Sequence, residues 1–497
     1  MATGFTISPS EPPSAAIMSI RKALVFSFID RYASLVVSVG SSMILARLLT
    51  PADIGVFSVT MVMLSFIATF RDFGAGTYLV QEKDLTSDRV RATFAVQLGL
   101  GLFLALAVSL ASGPVAAFYG ESRMRDIMLV VALNYAINPF GSLTQAWLAR
   151  EMRFDGLAVI RFSSSAAGAA ISVVLAWKAY GPMSLALGSL ASTMVAVAVS
   201  AFYRPQSFPW LPGLREVRRV VSFGTQTTSV AIVNTMTSGA PELLLGKLQT
   251  LTAVGLYSRA NGLVSMFSRM VTDAVFSVSL SLFAKEFREQ GNIANSFLKA
   301  TAYITAIGWS FCLGLVFLAQ PVIRVLYGAQ WDNAVDLTRF IAVGMAFAIP
   351  ATMGSAALMA SGAMPLVVRA TVTSAVPNLA LIAIGAVYGL VSLGWAVVAG
   401  GIIHSVIYVS IVRRKVGFMW STLGSVLFKS ALVALFSAVA PAIVFMLFGA
   451  YPEDSFLPLA IGVPGSALGF LLAAVVFRHP IRDELARLGG RLAGWMH

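Results

Sequence analysis

The sequence is poor in charged residues, histidine and cysteine. Only 11% of its 497 residues are charged, against roughly 25% in an ordinary soluble domain. So little polar surface could not cover a water-soluble protein of this length, and that class is excluded. A single cysteine excludes a disulfide scaffold and any cysteine-ligated zinc or iron–sulfur site. The three histidines, His404, His479 and His497, are not spaced as metal ligands, so we expect no cofactor.

Motifs for common enzymatic chemistry are also missing. The sequence contains neither G-x-x-x-x-G-K-[ST] nor H-E-x-x-H, so we expect no ATP site and no zinc-protease site. The longest loops predicted on the outer side, near 113–123 and 320–334, are short, whereas a membrane polymerase or glycosyltransferase usually needs a large one. An enzyme is therefore the least favoured interpretation.

Long apolar runs are what the sequence has in abundance. Hydrophobic residues make up 58% of the chain, and the mean hydropathy is +0.82. A helix needs about 20 mostly apolar residues to cross a bilayer, so the sequence predicts an all-α integral membrane protein with about fourteen transmembrane helices. The predicted spans lie near 23–46, 54–72, 91–112, 124–148, 157–177, 182–203, 220–245, 252–278, 297–319, 335–360, 366–388, 391–411, 424–449 and 456–477.

The basic residues indicate how the chain is oriented. The formal net charge is +13, but Lys and Arg lie between the apolar runs rather than in one patch, which argues against a nucleic-acid partner. Most of them fall in segments on the same side as the N-terminus. The positive-inside rule therefore predicts that both termini are cytoplasmic.

Two short motifs recur after about two hundred residues. Ile54–Phe57 (IGVF) begins the second span and Val254–Tyr257 (VGLY) begins the eighth, while Phe118–Gly120 (FYG) and Leu326–Gly328 (LYG) precede the fourth and the tenth. Because six helices is an even number, both repeats keep the same orientation. The sequence predicts two parallel six-helix lobes with pseudo-two-fold symmetry, plus two C-terminal helices, which is a transporter architecture.

The repeat and the charge distribution give the domain boundaries. The predicted segments are a disordered cytoplasmic tail (1–18), an N-lobe of helices 1–6 (19–203), a Pro-rich basic cytoplasmic linker (204–219), a C-lobe of helices 7–12 (220–415), helices 13–14 (424–477) and a basic amphipathic cytoplasmic tail (478–497).

Polar residues at helical spacing mark the first, second, seventh and eighth spans as the wall of a hydrated cavity. A polar or charged group facing lipid is costly, so these side chains should face protein or water. The residues predicted to bind substrate in the cavity are Arg31, Arg269, Ser34, Ser38 and Arg259. The acidic residues predicted to couple transport to an ion, or to form ion pairs, are Asp30, Asp273 and Asp72.

Two interpretations of these charges stay open. The arginines attract an anionic head group, for which the planar guanidinium is suited, and a carboxylate titrates or binds a cation. Alternatively, the charges form a structural ion-pair cluster between the lobes, in which Arg269 and Asp273 can pair at i, i+4.

The motifs carry a family resemblance. Leu45–Pro51 (LARLLTP) followed by Ile54–Phe57 resembles the signature of polysaccharide exporters in the multidrug/oligosaccharidyl-lipid/polysaccharide superfamily. Val254–Ala260 (VGLYSRA) looks like the matching signature of the second lobe, and Tyr327-Gly328 with Trp331 also fits. The resemblance extends from about Ser19 to about Phe477 and points to Wzx-type lipid-linked oligosaccharide flippases.

The resemblance implies a function. Members of that family move undecaprenyl-diphosphate-linked repeat units across the bacterial inner membrane by alternating access, for exopolysaccharide, capsule or O-antigen synthesis. It implies a lipid-linked oligosaccharide and inner-membrane lipids as partners, with a polysaccharide polymerase and a chain-length regulator as further candidates. In the related lipid II flippases the first and eighth helices carry cavity arginines, and Arg31 and Arg269 occupy similar locations. Helices 13–14, at 424–477, would form a groove for the lipid tail.

Two alternatives remain besides that function. One is a multidrug or metabolite antiporter of the same superfamily, which would have a smaller and more acidic cavity. The other is a membrane polysaccharide polymerase or glycosyltransferase.

Overall fold

The computed structural model describes residues 20–72, 75–82, 85–205, 208–209, 211–289, 291–448, 456–484 and 487. Nearly all of this part of the chain is helical, which confirms the all-α prediction. The helices are α1 (Ile20–Leu48), α2 (Pro51–Asp72), α3 (Ala75–Gln81), α4 (Ser87–Tyr119), α5 (Arg123–Ile137), α6 (Pro139–Arg150), α7 (Phe154–Trp177), α8 (Met183–Phe202), α9 (Val217–Leu248), α10 (Leu251–Phe267), α11 (Asp273–Arg288), α12 (Ile293–Tyr327), α13 (Val335–Ala348), α14 (Thr352–Ala360), α15 (Met364–Tyr388), α16 (Leu390–Val416), α17 (Trp420–Ser437), α18 (Val439–Phe448) and α19 (Leu457–Val476). A π-helical turn (Ser268–Thr272) joins α10 to α11, and 3-10 turns cover Ala329–Ala334 and Ile349–Ala351.

Each of the fourteen predicted spans falls on helical backbone. Within the described residues, eleven helical segments are long and apolar enough to cross a membrane, or twelve if the bent pair α5–α6 counts as one span. That pair bends by 51° next to Pro139, a residue that cannot continue a helix without losing a hydrogen bond. The first and seventh predicted spans, in α1 and α9, lie outside that set, and the exact count of fourteen stays a prediction.

The chain forms two compact units, Met1–Gly239 and Ala240–His497, and the division falls inside α9. The sequence instead places the lobe boundary in the preceding linker, 204–219. In the first unit, α7 packs against α8 and α1, and α4 packs against α5. In the second, α15 and α13 pack against α16, while α17 and α19 pack against α12. The predicted tail 1–18 lies outside the described residues, and of the predicted basic tail 478–497 only residues 478–484 and 487 are described.

Small residues let helices approach closely in both units. In the first unit, a Cβ on Gly188 of α8 would collide with the hydroxyl of Ser172 on α7. In the second, a Cβ on Gly401 of α16 would collide with the backbone carbonyl oxygen of Gly344 on α13. Helix pairs in membranes are stabilised by this kind of close backbone packing, since lipid offers little hydrophobic driving force between helices.

A buried polar cluster holds the chain just after α19 against α17 and α12, within the second unit. His479 is buried; its Nε2 lies 3.2 Å from the Ser430 hydroxyl, and its Nδ1 accepts a hydrogen bond from the backbone N–H of Ile481. Thr305 donates to Ser430 at 2.8 Å. Desolvation, with a smaller contribution from the charge of Lys429, lowers the pKa of His479 to about 4. The imidazole is therefore neutral at physiological pH and acts as a structural link between α17 and the end of α19.

Candidate functional site

The signature of the first unit builds the start of α2. Thr50 precedes the helix, Pro51 opens it, and Asp53 lies in its first turn. The Thr50 hydroxyl donates to the Asp53 carboxylate at 2.7 Å and accepts from the Asp53 backbone N–H at 3.2 Å. This exchange satisfies N-terminal N–H groups that a helix leaves without partners. The sequence Thr-Pro-x-Asp therefore stabilises the N-terminus of α2.

Asp53 also connects this signature to the second repeated motif. Its other carboxylate oxygen accepts from Arg123 at 2.8 Å, and Arg123 donates two further bonds, each of 2.9 Å, to Glu121. Glu121 follows Gly120, which ends α4 with a positive φ of 69° that favours glycine. The hydrogen bonds from Arg123 hold the pKa of Glu121 below its usual value. The start of α2 and the turn after α4 are thus fastened together by charge.

The corresponding motifs of the second unit also meet. Thr250 caps α10 by accepting from the Ala253 N–H at 3.1 Å. From the third turn of that helix, the guanidinium of Arg259 lies 5.4 Å from the ring centre of Tyr327 and 5.6 Å from that of Trp331. Trp331 is fully buried. In the second unit, a cation packed over two aromatic rings thus connects the two motifs.

This contact defines the surroundings of Arg259, one of the predicted cavity residues. Its guanidinium packs on Tyr327 at the end of α12 and on Trp331 just after it, so the residue holds the middle of α10 against this part of the chain. Arg324, in the last turn of α12, adds a two-pronged bond to Asp332, with distances of 2.9 and 2.7 Å. The sequence shows Arg259, Tyr327 and Trp331 as parts of the signature motifs, but their contacts are seen only in the structure.

Arg269 lies near the middle of the continuous helical segment Leu251–Arg288. It belongs to the π-helical turn Ser268–Thr272, and its side chain is exposed in the second unit. Its Nη2 lies 3.5 Å from the carbonyl oxygen of Gly262, almost two turns earlier. Asp273 begins α11 directly after the π turn and is also exposed. No sequence pattern predicted this turn, which changes the angular offset between Arg269 and Asp273 from that of a regular α-helix.

The predicted site residues of the first unit lie on α1 and α2. Ser34 is half-buried and Ser38 is exposed on α1. The backbone of Asp30 and Arg31 lies in α1, and Asp72 is the last residue of α2, but the side chains of these three residues lie outside the described part of the chain. Their roles stay predictions. Across the described residues, His, Cys, Asp and Glu side chains form no group of three that could hold a metal ion.

Comparison with known proteins gives similarity over nearly the whole chain. The succinoglycan biosynthesis transport protein ExoT of Rhizobium meliloti is 25% identical over 90% of this chain and 90% of its own. The lipopolysaccharide biosynthesis protein WzxC of Escherichia coli is 21% identical over 60% of this chain and 61% of its own.

A solved structure shares the fold. The lipid II flippase MurJ in an inward closed conformation superposes with a TM-score of 0.75, covering 93% of this chain and all of that one, at 14% sequence identity. At that identity the likeness establishes the fold alone.

A family model identifies the chain more directly. The model described as polysaccharide biosynthesis protein matches residues 44–336, which is more than half of the sequence. The match includes both copies of the repeated motifs, and the Wzx-type resemblance found in the sequence is confirmed. The chain is a multi-pass membrane protein and belongs to the polysaccharide biosynthesis protein family.

Proposed function

We propose that this protein flips undecaprenyl-diphosphate-linked oligosaccharide repeat units across the bacterial inner membrane, for the synthesis of a surface polysaccharide. Three comparisons support the proposal: a relative named for succinoglycan transport, a relative named for lipopolysaccharide biosynthesis and the fold of a lipid II flippase. The names of these three proteins refer to succinoglycan, to lipopolysaccharide and to lipid II. The protein works as a transporter by alternating access, and not as an enzyme.

The observation that carries the proposal is the exposed guanidinium of Arg269 within an apolar helical segment. A charge at the centre of a membrane helix costs about 2.5–3.5 kcal/mol on insertion scales and more in simulations, so such residues face protein or a water-filled cavity. π-helical turns are frequent at functional sites, where they displace one side chain from the regular helix register. Arg269 is therefore suited to receive a diphosphate through two parallel hydrogen bonds.

Three of the other predicted cavity residues, Arg31, Ser34 and Ser38, have supporting roles in this proposal. Arg31 supplies a second cation from α1, and Ser34 and Ser38 add hydroxyl groups for the substrate. Asp273 follows the π turn by one residue, so its carboxylate is placed to balance the charge of Arg269 or to bind the coupling ion. Asp30 and Asp72 are the corresponding acidic candidates on the first two helices.

The orientation follows from the charge distribution. We place both termini in the cytoplasm, because most Lys and Arg lie in the segments on that side. The substrate is then collected on the cytoplasmic side and released on the periplasmic side. A polysaccharide polymerase and a chain-length regulator would act next on the released repeat units.

Deletion of the gene tests this function in the cell. A strain without the protein should stop making its surface polysaccharide and should accumulate lipid-linked repeat units on the cytoplasmic leaflet, because synthesis continues while transport does not. Restoring the wild-type gene should reverse both changes and leave susceptibility to cationic drugs unchanged. Altered drug susceptibility with normal polysaccharide would instead assign the protein to the antiporter class.

A further inference from the structure

A basic pocket lies between α15 and α16 in the second unit. It has a volume of about 230 Å³ and is lined by the start of α15 and the end of α16. The lining residues are Leu366, Arg369, Thr373, Ile411, Arg414 and Lys415. Three of the six carry a positive charge and none is acidic, so the pocket selects for an anion.

The three cations are available to a ligand. Among the described residues, neither an ion pair nor a side-chain hydrogen bond engages Arg369, Arg414 or Lys415, and all three side chains are exposed. Other arginines of the same unit are neutralised in place: Arg324 pairs with Asp332 at 2.7 Å and Arg339 pairs with Asp336 at 2.9 Å. Three like charges around one pocket repel each other, and an anion bound there relieves that repulsion.

The pocket lies at one end of a helical hairpin. The helices α15 and α16 are each long enough to span a membrane, and they are joined at their other ends through Gly389. The charge distribution predicts the pocket end to be cytoplasmic. Beside it, Arg413 lies 5.1 Å from the ring centre of Trp420, and tryptophan is enriched at the level of the lipid head groups.

An apolar strip continues from the pocket along α15. The pocket residues Arg369 and Thr373 are followed on the same helical face by Val376 and Ile384, whose side chains are 63% and 59% exposed. Such a strip toward the membrane interior is suited to an acyl chain. A phosphate in the pocket and a hydrocarbon chain along the strip together match one class of ligand, a lipid with a negatively charged head group.

We propose that this pocket binds the phosphate of an anionic phospholipid from the cytoplasmic leaflet. Basic pockets between membrane helices on that side are suited to anionic head groups. None of the proposed cavity residues lines this pocket, and its existence does not depend on the transported substrate. A bound phospholipid would bridge α15 and α16 where their ends are not joined by a loop.

Lipid binding to the purified full-length protein in detergent tests the proposal. Native mass spectrometry would compare dioleoyl phosphatidylglycerol with dioleoyl phosphatidylcholine on three proteins: the wild type, a pocket variant (R369Q/R414Q/K415Q) and a matched control (K285Q/R288Q/K299Q). The control removes the same number of exposed charges from α11 and α12, which the same charge rule places on the cytoplasmic side. The wild type and the control should prefer phosphatidylglycerol, and the pocket variant should bind it at least about tenfold more weakly.

Several results would overturn the proposal. Equal binding of phosphatidylglycerol by the pocket variant and the wild type would show that the pocket is not a phospholipid site. Displacement of the lipid by inorganic phosphate at equal concentration would identify a site for free anions, and stronger binding of undecaprenyl phosphate would assign the pocket to the transported lipid. If the triple variant is poorly folded, the single substitution R414Q should still weaken phosphatidylglycerol binding, with no change for R288Q.

Discussion

Arg269→Ala is expected to abolish polysaccharide export while the protein stays inserted in the membrane at normal abundance. A diphosphate brings about two negative charges into a cavity of low dielectric constant, and an uncompensated ion there costs several kcal/mol. Because about 1.4 kcal/mol is a factor of ten, transport should fall by at least about a hundredfold. The measurement is surface polysaccharide per cell, with the variant quantified in isolated membranes.

Three further variants make this result specific. Arg269→Lys should restore part of the export, because lysine keeps the charge but not the planar two-pronged geometry. Arg288→Ala changes an exposed arginine at the end of the same helical segment and should leave export unchanged. Arg31→Ala should act like Arg269→Ala. Normal export from both Arg31→Ala and Arg269→Ala would leave these residues as structural charges.

Asp273→Asn separates the two interpretations of the acidic residue. If the carboxylate only neutralises Arg269, the variant should lose stability and abundance, since a buried or cavity charge without its partner is destabilising. If the carboxylate couples transport to an ion, abundance should hold while export fails.

Gly401→Ala is expected to destabilise the second unit strongly. The new methyl group would meet the backbone carbonyl oxygen of Gly344, and a backbone atom cannot turn aside as a side chain can. Overpacking of a tight core costs typically 1–3 kcal/mol and sometimes more. The variant should have a lower thermal midpoint in detergent and lower abundance in the membrane, both of which can be read from a fluorescent fusion.

Gly424→Ala is the matched control. Gly424 lies within α17, and a Cβ placed there meets nothing within 4 Å. Alanine is better than glycine in a helix interior by about 0.8–1.0 kcal/mol. This variant should therefore equal or exceed the wild type in thermal midpoint. Equal thermal midpoints for Gly401→Ala and the wild type would contradict the close approach of α16 to α13 at Gly401 and Gly344.

The sequence predicted the helices well because a membrane span needs a long apolar run, and such runs can be read directly. The fourth predicted span, 124–148, is an instructive case. Its composition indicates one helix, but Pro139 divides it into α5 and α6 with a bend of 51°. A window of mean hydropathy does not register a single proline, although the residue itself was visible.

The sequence could not predict which side chains meet. In the sequence, Arg123 is one of many basic residues between apolar runs, whereas in the structure it joins Asp53 to Glu121. Arg259 is predicted from its polar pattern as a cavity residue, and that pattern could not show that its guanidinium packs on Tyr327 and Trp331. The contact of Arg123 with Asp53 and the contacts of Arg259 with the two rings join residues about 70 positions apart along the chain. Helical periodicity predicts which residues share one face of a helix, but it does not predict which other helix packs against that face.

The π turn at Ser268–Thr272 was predicted in part: the sequence indicated the segment but not its backbone conformation. The polar residues around Arg269 drew attention to the segment, but no residue type specifies an i to i+5 hydrogen-bond pattern. The basic pocket could not be predicted either, because Arg369 is more than 40 residues from Arg414 and Lys415, and only the structure brings the three around one cavity.

The most direct test of the account is transport by the purified protein in liposomes. A polyprenyl-diphosphate-linked oligosaccharide carrying a fluorophore would be placed in both leaflets, and a membrane-impermeant quencher would report how much of it can reach the outer leaflet. Liposomes with the wild-type protein should allow nearly all of the label to be quenched, whereas liposomes with Arg269→Ala, like protein-free liposomes, should stop at about half. Quenching that stops at half with the folded wild-type protein under every imposed ion gradient would contradict the proposed flipping of lipid-linked oligosaccharides.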